Sequence, residues 1–399
     1  MKQKLHFQEL VCCRDVACTC LQCQLNARFL HRYAEVQRWH VQDQGTLVYK
    51  LGLRSHGQYH EHQPYFLQKP CKLRESPELR KILETYEGII TSDSDVWKRQ
   101  KKALLSFFKY NKKSAAYMHR ILQQVLEGSL IPVLDHFQTL GSEVDLEVVL
   151  GRFNYGYMCL LGFGVNPKTL SAELPVVEIT EALGHIDDGL EILDDFAYTH
   201  ISLRRDEMRR SKAMAEDQFD TLTGFMVKEG SYMSEMGKSE KFLRDLVYDF
   251  LTVGKDSTTT GLTCFLWLIA THPWVETKIL EEIKDNCPEN NDGKMMYFTA
   301  EELNNLVYLR AAFCETLRLY PPVPVDFRSS IRPDVLPSGD CIGLNKRILM
   351  SMYTIGRSGE IGERTAWNSN QKGGFQRWES LSKNRHPCIC HLGLDREHT

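Results

Sequence analysis

The longest helical pattern in the chain runs over residues 241–270. Apolar residues recur there three and four positions apart, which places them on one face of an α-helix. His272-Pro273 ends the pattern, because proline lacks a backbone N–H and disfavours helix in the residue before it. The sequence therefore predicts one continuous helix, roughly 45 Å long at about 1.5 Å per residue.

The middle of this helix is polar, with the sequence Gly-Lys-Asp-Ser-Thr-Thr-Thr over residues 254–260. A phosphate-binding loop is excluded, because Asp256 follows the lysine and Asp249 takes the place of the first glycine. One remaining interpretation is a core helix whose hydroxyls bond to carbonyls one turn earlier. The other is a helix that passes over a flat cofactor, where Gly254 allows close approach and Asp256 and Ser257 deliver protons to bound oxygen.

Most of the other patterns are helical as well. Residues 114–229 have helical periodicity, with breaks at Gly141-Ser142 and Asn166-Pro167. Further predicted elements are a strand over 45–51, helices over 29–39, 77–86, 275–286, 299–305 and 308–320, and short strands after residue 324. The pattern dissolves after residue 357.

A basic helix is predicted to begin after the run Ser-Asp-Ser-Asp at residues 92–95. It carries Trp97 and Lys101 among several other cations. A solvated charged face is the common meaning of such a run. The alternative is a clamp on an anionic group.

Composition narrows the function classes. A length of 399 residues suits one large domain or two smaller ones, and a net charge of −3 with a pI near 6.5 argues against a nucleic-acid binder. An odd count of 13 cysteines favours a reducing compartment over a disulfide framework. Residues 1–28 are predicted to be a cysteine-rich leader without a membrane span, and no metal site is predicted.

Several motifs in order resemble those of the cytochromes P-450, the haem-thiolate monooxygenases, over residues 75–357. They are Trp97-x3-Lys101, the 253–258 segment of the central helix, Glu315-x2-Arg318, and Tyr-Pro-Pro-Val-Pro at residues 320–324. The runs at 334–339 and 352–357 resemble the plant branch that hydroxylates fatty acids and alkanes. The resemblance implies a mainly α fold with a small β part.

The resemblance also implies roles for residues. Asp256, Ser257 and Thr258 would serve oxygen activation, and Trp97, Lys101 and Gly254 would contact the haem, with Glu315 and Arg318 holding the proximal fold. It implies an NADPH-cytochrome reductase as partner, a long-chain aliphatic substrate, a monomeric protein and the endoplasmic reticulum membrane. The lack of an anchor pattern leaves the cytoplasm as the alternative location.

The sequence departs from the family at three places. Val253 stands where the family prefers alanine or glycine, and Ser257 stands where it prefers threonine. The ligand motif Phe-x2-Gly-x-Arg-x-Cys-x-Gly is absent, and Cys388 and Cys390 lack its glycine-arginine frame. A thiolate ligand needs such a tight turn to lower its pKa. The alternative function is therefore an inactive, haem-free remnant or a hydrophobic-ligand binder.

A change of reading frame would explain part of the missing motif, although the shifted codon at the ligand position could encode only histidine or tyrosine. Codons for residues 394–398, read two bases out of phase, can encode Gly-Pro-Arg-Thr, the run that precedes the family's cysteine. We therefore divide the chain into the leader 1–28, a P-450-like domain over 29–357 and a divergent tail over 358–399. On this hypothesis the fold is incomplete at both ends.

Overall fold

The structure is a computed structural model, and it describes residues 73–75, 87–92, 94–108, 112–174, 186–210, 222, 238–286, 300–335 and 341–353. The described residues divide between two compact units, one within Arg74–Thr260 and one that holds Leu73 and the described part of Gly261–Thr399. The predicted leader 1–28, the elements predicted over 29–39, 45–51 and 77–86, and the tail 358–399 lie outside the described residues.

The first unit is helical. Its helices are α1 (Ser94–Phe108), α2 (Lys112–Val125), a π-helical turn (Leu126–Leu130), α3 (Ile131–Leu140), α4 (Leu146–Phe163), α5 (Ile186–Arg210) and the first part of α6 (Glu240–Thr271). The boundary between the two units lies within the short strand β1 (Leu73–Glu75), between Leu73 and Arg74.

Local sequence explains where α3 and α4 end and where α4 begins. Gly141 and Gly164 follow them in the left-handed conformation, at φ 61° and 69°, which glycine adopts without steric cost. The Asp145 carboxylate accepts the backbone N–H groups of Glu147 and Val148 and so caps α4. The predicted break at Gly141-Ser142 is confirmed.

The π-helical turn was not predicted. It precedes Pro132, which lacks a backbone N–H and whose ring would collide with a carbonyl one turn earlier in a regular α-helix. The N–H of Ile131 instead bonds to the carbonyl of Leu126, five residues before it. The wider turn therefore accommodates the proline.

Two clusters of buried side chains form the core of this unit. In one, α4 and α5 pack against the first half of α6, through residues such as Tyr155, Leu193 and Leu243. In the other, α2 and α3 pack against α4, around Val149 and Phe153. Helix α4 contributes to both clusters, which explains why 12 of its 18 residues are buried.

The second unit contains the end of α6, helices α7 (Pro273–Asn286), α8 (Ala300–Asn305) and α9 (Val307–Leu319), and strands β2 (Val325–Ser330), β3 (Asp334–Val335), β4 (Cys341–Ile342) and β5 (Arg347–Ser351). Strands β2 and β5 pair antiparallel, with Val325 opposite Ser351, and β3 pairs antiparallel with β4. Phe265 and Ile269 of α6 pack with Val275, Ile279 and Ala312.

The predicted fold class, mainly α with a small β part, is confirmed. The central helix spans Glu240–Thr271, within one residue of prediction at each end, and Pro273 starts the next helix. Among the described residues, no helix is both long and apolar enough to cross a membrane.

Candidate active site

The polar middle of α6 is held from one side by α4. The side-chain amide of Asn154, which is buried, donates to the carbonyls of Gly254 at 2.8 Å and Lys255 at 2.7 Å. These bonds fix the position of α6 against α4 at the turn where the predicted motif begins.

Hydroxyl groups in the same stretch bond back along the helix. Ser257 Oγ donates to the carbonyl of Val253 at 2.6 Å, and Thr259 Oγ1 donates to that of Lys255 at 2.7 Å. The predicted back-bonding is therefore present, and α6 remains continuous. Three successive carbonyls, at 253, 254 and 255, accept side-chain donors, a pattern that loosens and often bends a helix.

Gly254 allows the Met158 side chain of α4 to pack closely against α6. A β-carbon at this position would collide with the side chain of Met158 on α4. The glycine therefore has a structural reason that does not involve a cofactor. Its predicted role in the approach of a haem stays a prediction.

The predicted catalytic residues lie on the uncovered part of α6 within the first unit. Val253 is 48% exposed, the Asp256 side chain is 51% exposed, and Thr258 is exposed. At 100° per residue, Val253, Asp256 and Ser257 lie on the same side of the helix. The carboxylate of Asp256 accepts a hydrogen bond from Lys255 Nζ at 2.9 Å. An apolar group, a carboxylate and a hydroxyl are thus brought together at one turn.

Trp97 and Lys101 lie one turn apart on α1. The ammonium of Lys101 lies 4.8 Å from the centre of the Trp97 ring, a cation–π arrangement. The two side chains are therefore brought together, and their contact with haem propionates stays a prediction.

Glu315 and Arg318 form a two-point ion pair on α9 in the second unit. Arg318 Nε donates to Glu315 Oε2 at 2.7 Å, and Arg318 Nη2 donates to Oε1. Glu315 is buried, whereas the Arg318 side chain is 29% exposed. The predicted neighbouring pair is thus present. Arg377, the candidate third partner, lies outside the described residues.

Sequence reasoning missed a cluster of charged residues on the buried part of α6. Arg244, Asp245 and Asp249 are all buried there, although the stretch was interpreted only through its apolar spacing. Arg244 bonds to Asp245 at 2.8 Å and to Asp194 on α5 at 2.5 Å. The available signal was the presence of three charged residues within an otherwise apolar helical stretch, which requires partners.

Comparison with known proteins decides the family. The family profile described as cytochrome P450 matches residues 176–363. The chain is 30% identical over 326 residues to alkane hydroxylase MAH1 of Arabidopsis thaliana, which covers 74% of this chain and 62% of that protein. The chain belongs to the cytochrome P-450 family. It is also 30% identical to cytochrome P-450 86B1 of Arabidopsis thaliana, over 68% of this chain and 54% of the relative.

Solved structures agree on the fold. A cytochrome P-450 named CYP102L1 has a TM-score of 0.63 at 16% identity, covering 90% of this chain and 84% of that chain. A zebra fish cytochrome P-450 also has a TM-score of 0.63, at 17% identity. The chain covers less than two thirds of the two Arabidopsis relatives. The predictions of the family, its plant branch and its fold are confirmed.

Haem is the cofactor that the family implies. The uncovered side of α6, with Val253, Asp256 and Ser257, fits the side of a haem at which oxygen is activated. Burial raises the pKa of the Cys159 thiol to about 12, which does not suit a thiolate ligand. The family's ligand loop would follow residue 357, outside the described residues. In the described residues, the carboxylate of Asp256 and the hydroxyl of Ser257 have the chemistry that the distal side of a haem needs, and their role there stays a prediction.

Proposed function

We propose that the P-450 domain serves haem-dependent monooxygenation, with insertion of one oxygen atom into a long-chain aliphatic substrate. The partner we propose is NADPH-cytochrome reductase, and the place of action is the endoplasmic reticulum membrane, with the cytoplasm as the alternative. The observation that carries the proposal is the uncovered turn of α6, where Val253, Asp256 and Ser257 lie side by side.

The roles of these residues follow from their chemistry. When bound, a haem would activate oxygen and accept the electrons that the reductase delivers. Asp256 is exposed enough to exchange protons with water, and Ser257 lies next to it with a hydroxyl that both donates and accepts. Ser257 would pass a proton onward by turning its O–H away from the carbonyl of Val253. Thr258 is exposed on a different side of α6, so it does not join this acid and hydroxyl. Trp97 and Lys101 would hold the propionates.

The aliphatic substrate class is supported by two features. Val253 presents an apolar surface at the turn that carries the acid and the hydroxyl. One relative of the chain is named an alkane hydroxylase. A hydrocarbon chain suits such a surface, since it needs no hydrogen-bonding partner.

A second candidate function is the binding of hydrophobic ligands without haem chemistry. It is favoured by the lack of a Phe-x2-Gly-x-Arg-x-Cys-x-Gly run anywhere in the 399 residues. The two functions require different tails, because only the first needs a thiolate ligand.

The test compares the natural chain with a tail chimera. In the tail chimera, residues 358–399 are replaced by the corresponding segment of the Arabidopsis alkane hydroxylase. With a plant NADPH-cytochrome reductase, we expect the chimera to hydroxylate long-chain alkanes or fatty acids. Failure of a folded, haem-loaded chimera to oxidise any aliphatic chain would contradict the proposal. If the natural chain binds such a ligand but oxidises none, the second function describes it.

A further inference from the structure

A short segment of the first unit is attached to α6 by buried carboxylates. The segment, residues 87–92, leads directly into α1, and its partners lie about 160 residues further along the chain. The backbone N–H of Ile89 donates to Asp249 Oδ2 at 2.6 Å, and that of Ile90 donates to the same oxygen at 3.4 Å. The N–H of Glu87 donates to Asp245 Oδ2 at 2.8 Å.

The contact at Asp249 is close enough to demand glycine. A β-carbon on Gly88 would collide with Asp249 Oδ2. The three atoms nearest to that β-carbon all belong to the Asp249 carboxylate. The segment then folds on itself, since Ser92 donates from both its backbone N–H and its hydroxyl to the carbonyl of Gly88. Asp249 therefore fixes the centre of a compact turn.

The turn is tied to α1 by a second bond. The buried side-chain amide of Gln100 donates to the carbonyl of Glu87 at 2.5 Å. Trp97 and Lys101 lie beside Gln100 on the same helix. A displacement of the segment from α6 would therefore also release the first turns of α1.

We propose that Asp249 is a positioning residue that latches residues 87–92 onto α6 and thereby fixes the start of α1. This goes beyond the proposed function, because it concerns the polypeptide itself and requires no haem. Asp245 supports the latch through Glu87, and its own position is set by Arg244.

The latch has a defined dependence on pH. Burial raises the pKa of Asp249 to about 7, against the lowering effect of the two N–H donors. Asp245 raises this pKa further and Arg244 lowers it. Arg244 also binds Asp194 of α5, and Glu87 lies on the latched segment.

The direction of this pH dependence follows from the difference in the pKa of Asp249 between the closed and the open segment. An open segment would expose Asp249, whose pKa would return to about 3.9. The closed state therefore binds the proton more tightly, and closing is favoured at low pH. Between pH 6 and pH 8 the equilibrium constant for closing should fall about tenfold. The second carboxylate oxygen, Oδ1, is buried without a hydrogen-bond partner among the described residues, which agrees with a cost for the ionised form.

Hydrogen exchange of the full-length chain tests the latch. The readout is the protection of the Ile89 and Ile90 amides, corrected for the intrinsic effect of pH on exchange. In the natural chain we expect protection to fall about tenfold from pH 6 to pH 8. Asp249→Asn, which keeps an acceptor oxygen and stays neutral, should retain protection at both pH values. Asp249→Ala should lose protection at both.

Controls separate the latch from general destabilisation. Asp206→Asn, which changes an exposed carboxylate on α5, should leave the exchange of residues 87–92 as in the natural chain. The proposal would be overturned if the Ile89 and Ile90 amides exchanged at equal rates in the natural chain and in Asp249→Ala. If Asp249→Ala does not fold, the natural chain and Asp249→Asn still test the proposal. Equal protection of the natural chain at pH 6 and pH 8 would overturn it. The same change of protection with pH in both proteins would also overturn it.

Discussion

At the scale of single residues, the proposed chemistry depends on a hydroxyl at position 257. Ser257 Oγ bonds to the carbonyl of Val253, so the side chain is already oriented along the helix. Ser257→Ala in the tail chimera should lower the rate of hydroxylation by about 100-fold, the low end of the effect of a positioned proton donor. Ser257→Thr should retain activity. The rate of product formation measures both, and equal rates for all three proteins would exclude a role in proton delivery.

For Val253 we expect an effect on the rate of hydroxylation but not on stability. It is 48% exposed, so truncation removes little buried surface. Val253→Ala should change the free energy of unfolding by less than about 0.5 kcal/mol. It should nevertheless increase the rate of hydroxylation in the tail chimera, because the valine occupies space beside the proposed oxygen site. An unchanged rate with unchanged stability would show that this side chain does not face the reaction.

At the scale of elements, the contact between α4 and α6 depends on Asn154. Its side chain is buried and makes two partly buried bonds, to the carbonyls of Gly254 and Lys255. At about 1 kcal/mol for each bond, Asn154→Ala should lower the free energy of unfolding by roughly 2 kcal/mol. Gln123→Ala removes an exposed side-chain bond and should cost less than about 0.5 kcal/mol. Urea denaturation measures both, and equal midpoints would show that the amide does not fix α6.

Helix α9 offers a separate test in the second unit. Removing one partner of a buried ion pair costs about 3–5 kcal/mol, because the survivor stays charged and buried. Arg318 is partly exposed, so Arg318→Ala should cost about 3 kcal/mol, the lower end of that range. Arg310→Ala, at an exposed position on the same helix, is the matched control. A denaturation midpoint of Arg318→Ala equal to that of the natural chain would show that the core around Glu315 is not assembled.

At the scale of the whole molecule, periodicity and proline positions were enough to predict α6, α7 and α9 almost to the residue. They were enough because α6 ends and α7 begins next to Pro273, and α9 ends just before Pro321, and the effect of a proline is local. The charged cluster of Arg244, Asp245 and Asp249 was missed for the opposite reason. Its partners lie on residues 87–90 and on α5, and no local pattern relates residues that are 160 positions apart.

Sequence patterns also located some residues of the candidate site and missed others, while the roles of these residues stay predictions. The motif at 253–258 was found from its polar residues inside an apolar helix, and the pair Glu315 and Arg318 from its spacing of three. Asn154 was missed, because an asparagine within a predicted core helix gives no sign of which carbonyls it meets. The packing of Gly254 against Met158 was missed as well, because that residue lies on another helix, and the cofactor role of Gly254 stays a prediction.

At the same scale, we propose that this P-450 domain forms a haem site, although residues 358–399 lack the ligand motif of the family. The most direct measurement is the carbon-monoxide spectrum of the reduced, haem-reconstituted natural chain and of the tail chimera. We expect the red-shifted band of thiolate-ligated haem in the chimera and no such band in the natural chain. A band in the natural chain would show that Cys388 or Cys390 ligates iron. A folded chimera without the band would show that the domain does not form a haem site.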